Sequence, residues 1–177
     1  MQLLDDGLYF YPSVIQTPYI AGFDLGMTLT RPVSGETSQS ADDWTFLPNR
    51  LPTLKRLQDD GYTIVIFTNQ TLKYHSCDLD TKQSKIEMNL DRKDQIIAAL
   101  KRSGIHPWVF ASTEQNEYRK PHVGMWKALL KVWNVPIDLT RSFFVGDSAG
   151  RKPDKTSNDK LFAKYIGINF YIPEEVF

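Results

Sequence analysis

The chain has little of what would mark many other classes of protein. It contains a single cysteine, Cys77, in 177 residues, so an internal disulfide is excluded. Cys77 lies in a polar stretch and reads as a bystander rather than a nucleophile. Neither charge is in excess: 21 Lys and Arg stand against 21 Asp and Glu. Bulk charge therefore does not draw the protein toward nucleic acid or membranes, and any polyanion has to be met by a local patch. No apolar run approaches the ~20 residues that a membrane helix requires. The N-terminus also lacks the charged-then-apolar order of a signal peptide. The expectation is a soluble intracellular protein, nuclear or cytoplasmic. No G-x-x-x-x-G-K-[ST] loop occurs, which argues against a nucleotide triphosphate site. Internal repeats and low-complexity tracts are missing too.

What is present is a hydrophobic share of 41%, enough to build one well-packed domain over residues 1–177. Short apolar runs are predicted as strands at Ile20–Leu25, Tyr62–Phe67, Trp108–Ala111, Ser142–Val145 and Ile168–Ile172. They are nearly continuous rather than alternating, as suits strands buried on both faces of a parallel sheet. Helical stripes fall between them: Leu51, Leu54 and Leu57 before Gly61; Ile96, Ile97 and Leu100 before Gly104; Trp126, Leu129, Leu130 and Trp133; and Leu161, Phe162 and Tyr165. Strand and helix in alternation predict an α/β, doubly wound, Rossmann-like sheet, mostly parallel. Residues 1–19 read as a leader. Residues 30–47 and a polar insertion at 71–92 leave the sheet at its carboxyl edge.

Ligands of such sheets bind beyond the carboxyl ends of the strands, so the residues standing there carry the information. The first strand ends in Asp24, followed by Thr28. The second ends in Thr68-Asn69-Gln70. Arg119 and Lys120 follow the third, and Gly146-Asp147-Ser148 the fourth. An acid, a hydroxyl, an ammonium and a second acid would converge on one crevice. Asp24 can attack phosphorus and carry an aspartyl-phosphate. Mg²⁺ held by Asp24 and Asp147 would offset the repulsion between carboxylate and phosphate. Thr68 and Lys120 would bind the equatorial oxygens, where charge spreads in the transition state.

The blocks "AGFDL..TL", "DDW", "IVIFTNQ", "YRKP..GMW", "FFVGDSAGR" and "DKLFA" make the chain similar to the haloacid dehalogenase superfamily of aspartyl-phosphate hydrolases. The nearer resemblance is to the 3′-phosphatase domain of polynucleotide kinase/phosphatase. It runs from about Ala21 to Phe177, except for 71–92. The resemblance implies an essentially capless, Mg²⁺-dependent enzyme acting on 3′-phosphate ends, of DNA rather than RNA, in strand-break repair, and a monomer. It implies Asp24 as nucleophile, Thr68 and Lys120 as phosphate binders, and Asp147 as a metal ligand. Asp159 would stand behind Lys120 or a metal-bound water, and Thr28 would support the site. Asn69 would join Thr68 in binding substrate, and a basic surface near the strand ends would come from Arg119, Arg151, Lys152 and Lys155, with Lys73, Lys82 and Lys85 on the insertion.

One position departs from the family pattern of Asp, any residue, Asp, a variable residue, Thr. Here it reads Asp24-Leu25-Gly26-Met27-Thr28. The resemblance gives the second acid the work of protonating the leaving sugar oxygen and activating water. Glycine can do neither, although its backbone carbonyl is still available to a metal. A positioned acid/base contributes ~10²–10⁴-fold. Asp78, Asp80, His75 and His122 are the candidates for a replacement. Two other readings stay open: a non-catalytic protein that binds phosphorylated ends or a protein partner, and a hydrolase whose leaving group needs no acid.

Overall fold

The computed structural model describes residues 1–35, 40–70 and 79–177, apart from the side chains of residues 79–82. Lys73, His75, Cys77 and Asp78 lie outside the described residues, as do the side chains of Asp80 and Lys82. The chain runs in the order β1 (Gln2–Asp5), β2 (Leu8–Tyr11), β3 (Tyr19–Phe23), β4 (Thr30–Arg31), β5 (Thr45–Phe46), α1 (Arg50–Asp59), β6 (Tyr62–Asn69) and α2 (Leu79–Arg102). It continues through β7 (Trp108–Ser112), α3 (Gly124–Val132), β8 (Phe143–Val145), α4 (Asn158–Ile166), β9 (Asn169–Tyr171) and α5 (Pro173–Val176). A seven-stranded sheet has the order β1-β2-β7-β6-β3-β8-β9, and all pairs from β7 to β9 are parallel. This is the α/β, doubly wound, mostly parallel sheet expected from the sequence. No cap domain is present among the described residues.

The two faces of β6 explain its unbroken hydrophobicity. Ile64 and Ile66 pack with Leu54, Ile96, Ile97, Leu100 and Val109 on one side of the sheet. Val65 and Phe67 pack with Phe110, Trp126, Leu129, Phe144 and Phe162 on the other. Each such side chain removed from water contributes roughly 1.5–3 kcal/mol, so a polar residue on either face would be costly. Phe67 is the hinge of an aromatic cluster, stacked on Phe110 at 5.5 Å and tilted against Phe162 at 5.4 Å.

Register carries the strand ends to one line. Phe23 is paired with Ile66 on one side and Val145 on the other. Asp24 therefore follows its strand directly, while Thr68 and Asp147 each stand two residues beyond a partner of Phe23. Thr68 itself pairs with Ala111 of β7, so the loop bearing Arg119 and Lys120 leaves from the same edge.

Three segments hold more structure than their sequences suggested. Within residues 1–19, β1 and β2 form a hairpin whose second strand pairs antiparallel with β7, Phe10 opposite Phe110. The hairpin also braces the loop after β7: Tyr118 donates its hydroxyl hydrogen to Asp5, and Asn116 Nδ2 bonds the Asp6 carbonyl at 2.9 Å. The segment 79–92 of the polar insertion is the first half of α2, where strong helix formers predominate and Ile86 is buried. Within 30–47, β4 and β5 form a small ladder held to α2. Gln95 accepts from Trp44 Nε1 at 3.2 Å, and Arg92 donates to the Ser40 carbonyl at 2.6 Å.

Candidate active site

Lys120 is the centre of the crevice. Its ammonium lies 2.7 Å from Asp24 Oδ1 and 2.7 Å from Asp159 Oδ1, and only 2% of the residue is exposed. Asn69 fixes the backbone that delivers it. Its side-chain oxygen accepts from Lys120 N–H and its amide donates to the Lys120 carbonyl, both at 2.9 Å. The ends of β6 and the loop after β7 are thus tied by a paired hydrogen bond.

Asp159 opens α4, and its second oxygen accepts from Ser148 N–H at 3.0 Å. Gly146 is what lets these elements close up. A β-carbon at Gly146 would sit 2.4 Å from the Asp159 carboxyl carbon, so only glycine admits that carboxylate. Asp147 turns its side chain toward Thr28, whose hydroxyl donates to it at 3.3 Å and accepts from Asp147 N–H at 3.1 Å.

Asp24, Asp147 and Asp159 can each place a carboxylate oxygen within 4.8 Å of the others. Three carboxylates around one ammonium leave the pocket two negative charges from neutrality when all are ionised. Asp24 responds to this. Burial raises its pKa to about 7 against the pull of Lys120, and Asp159 and Asp147 push the same way as burial. Asp147 is raised as well, by burial and then by Asp159. For Lys120, burial opposes the charge, but Asp159 and Asp24 outweigh it and its pKa is raised. Hard oxygen donors and a deficit of two charges fit a divalent cation such as Mg²⁺. Asp24 keeps one oxygen without a hydrogen-bond partner among the described residues, Asp147 likewise, whereas both oxygens of Asp159 are engaged.

Gly26 is exposed on the turn after β3, and a β-carbon built on it meets nothing within 4 Å. The space for a carboxylate side chain is therefore present without the side chain. Its neighbour Met27 is 57% exposed and adopts φ 62, a conformation that suits glycine better than methionine. Along these two positions, the small residue stands where bulk would fit and the bulky one where glycine would be at ease.

The expected basic residues divide. Arg119 is half-buried and donates to the Gln70 carbonyl at 2.9 Å, with its pKa lowered by burial. It has no carboxylate partner among the described residues. Arg151 is committed elsewhere. It bonds Asp154 at 2.9 Å, Glu174 at 3.2 Å and the Asp147 carbonyl at 3.1 Å, so its guanidinium braces the loop that carries Asp147. Lys85, Lys152 and Lys155 are exposed, and so is His122.

Sequence reasoning named Thr68 but missed the residues behind it. Gln70 Nε2 donates to Thr68 Oγ1 at 2.8 Å, and Lys93 Nζ of α2 donates to Gln70 Oε1 at 2.5 Å. A signal was available. Lys93 occupies the first place of an i, i+3, i+4, i+7 stripe completed by Ile96, Ile97 and Leu100, where an apolar residue belongs.

Comparisons with known proteins give the chain its relatives. A bifunctional polynucleotide phosphatase/kinase of Schizosaccharomyces pombe is 37% identical over 98% of this chain and 41% of its own length. The polynucleotide 3′-phosphatase ZDP of Arabidopsis thaliana is 32% identical over 98% of this chain and 25% of its own length. The chain thus spans less than half of either relative. Among solved structures, a D,D-heptose 1,7-bisphosphate phosphatase from B. bronchiseptica, complexed with magnesium and phosphate, superposes with a TM-score of 0.60. It is 21% identical, with 89% of this chain and 84% of that one covered, and the likeness is one of fold. The family model described as polynucleotide kinase 3 phosphatase matches residues 19–177, from the first residue of β3 to the last of the chain, and this protein belongs to that family.

Proposed function

We propose that this chain is a metal-dependent polynucleotide 3′-phosphatase domain that removes phosphate from nucleic-acid 3′ ends, DNA in preference to RNA, as in strand-break repair. The observation that carries the reading is the acidic cluster of Asp24, Asp147 and Asp159 around Lys120 at the ends of parallel strands. Its family membership and the named activities of the relatives support it.

Asp24, Asp147 and the Gly26 carbonyl would hold Mg²⁺. When bound, the ion screens the carboxylates from the phosphate and withdraws electron density from phosphorus. Asp24 acts as the nucleophile through its unbonded oxygen: a bond forms to phosphorus as the bond to the sugar 3′ oxygen breaks. Lys120 holds the other Asp24 oxygen in place and faces the incoming phosphoryl oxygens, while Thr68 donates a hydrogen bond to them. Arg119, with no carboxylate partner among the described residues, is placed to meet a phosphate of the polymer. Water then attacks the aspartyl-phosphate, releasing inorganic phosphate and restoring Asp24.

The leaving sugar oxygen needs a proton, and at Gly26 the chain offers none. Turnover on an alkoxide leaving group is therefore slow, and the domain holds phosphorylated ends longer than it processes them. The open space at Gly26 leaves room for the side chain that the substitution would restore. The test is release of phosphate from a 3′-phosphorylated oligonucleotide with Mg²⁺, by the natural chain and by Gly26→Asp. The substituted protein should be faster by ~10²–10⁴-fold. Equal rates would remove the argument about the acid. If neither protein turns over or binds the phosphorylated end, the polynucleotide reading fails.

A further inference from the structure

Among the described residues only two lysines are buried, Lys120 and Lys93, and the mechanism above uses only the first. Lys93 is 2% exposed. Its ammonium donates to Gln70 Oε1 at 2.5 Å and to the Asn89 carbonyl at 2.9 Å, and it forms no ion pair among the described residues. Burying a charge against neutral partners is unfavourable, and a methionine would fill the same place in the stripe more cheaply. The charge is therefore informative, and what it meets is the oxygen of one particular amide.

An ammonium can only donate, so in its charged form Lys93 holds the oxygen of the Gln70 amide toward itself. With its oxygen on Lys93, the amide nitrogen is left to donate to Thr68 Oγ1 at 2.8 Å. A threonine hydroxyl has one hydrogen and two lone pairs, and the amide occupies a lone pair. The Thr68 hydrogen has no acceptor among the described residues, although the residue is buried at the crevice edge. The backbone of Gln70 is pinned independently: its N–H donates to the Ser112 carbonyl at 2.8 Å and its carbonyl accepts from Arg119 at 2.9 Å. Only the side-chain amide is free to turn over, and turning it would present an oxygen to Thr68 and consume the hydroxyl hydrogen.

We propose that Lys93 is a positioning residue for phosphate: acting through Gln70, it keeps the Thr68 hydroxyl as a hydrogen-bond donor to the bound phosphoryl group. This rests on the phosphatase reading only in that Thr68 meets a phosphate. The donor is then preorganised before the ligand arrives, and the ammonium does its work without touching the ligand.

The test is a double-mutant cycle read by calorimetric binding of inorganic phosphate in the presence of Mg²⁺. Lys93→Met and Gln70→Met should each weaken phosphate binding by about 10-fold, the loss of one hydrogen bond to a charged group. Combined with Thr68→Val, neither should weaken it further, because the hydroxyl they serve is already gone. A purely structural role for Lys93 would give additive losses. Additive losses, unchanged binding in a folded Lys93→Met protein, or no phosphate binding by the natural chain would each overturn the proposal. Thermal unfolding checks the fold of every variant, and if Lys93→Met does not fold, Gln70→Met runs the same cycle from the other end of the link. If neither the natural chain nor Gly26→Asp hydrolyses or binds the phosphorylated oligonucleotide while the coupling persists, the polynucleotide reading falls and this one stands.

Discussion

The two buried lysines are equally hidden and oppositely disposed. Lys120 and Lys93 each expose 2% of their surface. Lys120 sits between Asp24 and Asp159 and has its pKa raised. Lys93 faces an amide and a carbonyl. Burial, with help from Arg92 and against Asp94, lowers its pKa to about 7 from the ordinary 10.5. Burial alone therefore does not set the charge of a lysine; the partners do. The difference divides the crevice into a charged side, which can balance a cation and a phosphate, and a neutral side, which orients a single hydroxyl.

The comparison breaks most sharply at Lys120. Replacing it by methionine leaves the Asp24 and Asp159 carboxylates buried and facing each other with no cation. In metal-free protein the loss should be about 3–5 kcal/mol in denaturant unfolding, easing as acid protonates the pair. Adding Asp159→Asn should recover part of it. If Lys120→Met alone is neutral at pH 7, the ion cluster has been misjudged.

Lys93→Met should behave in the opposite way and keep the fold. In the native state Lys93 gives up its proton near pH 7, whereas in the unfolded chain it does so near 10.5. Between these values the unfolded chain holds one more proton, so unfolding free energy rises with pH. The natural protein should thus gain stability relative to Lys93→Met from pH 7 to 10. A constant difference across that range would mean that Lys93 is not held at a lowered pKa. The smallest effect is expected at Arg92, whose charge adds to that lowering. Arg92→Gln should move the Lys93 titration upward, as followed by NMR of its terminal methylene. A downward movement would contradict the assigned cause.

The central strands were legible because burial on both faces leaves a plain record. "YTIVIF" reads as an inner strand, and β6 extends it by two residues. The strand-end blocks were legible for a related reason: Asp24, Thr68 and Asp147 each stand in or within two residues of an apolar strand, and only the Arg119-Lys120 block follows its strand at a distance. The hairpin of residues 2–11 was not, because its short edge strands depend on pairing with β7 rather than on their own pattern. The first half of α2 was hidden by its polarity, since a solvated helix carries little periodic signal.

The sequence by itself determined the five parallel strands, the order of the acid, hydroxyl, ammonium and second acid along the chain, and the glycine at position 26. These are facts of sequence order, each written in a short apolar run or in the loop that follows it. Only the tertiary structure decided that Arg151 braces the Asp147 loop, that Gly26 faces open space, and that a lysine of α2 reaches Thr68 through Gln70. Those depend on distances between segments far apart in the chain. In Lys93 the sequence shows only a lysine out of place in an apolar stripe; packing gives it a partner.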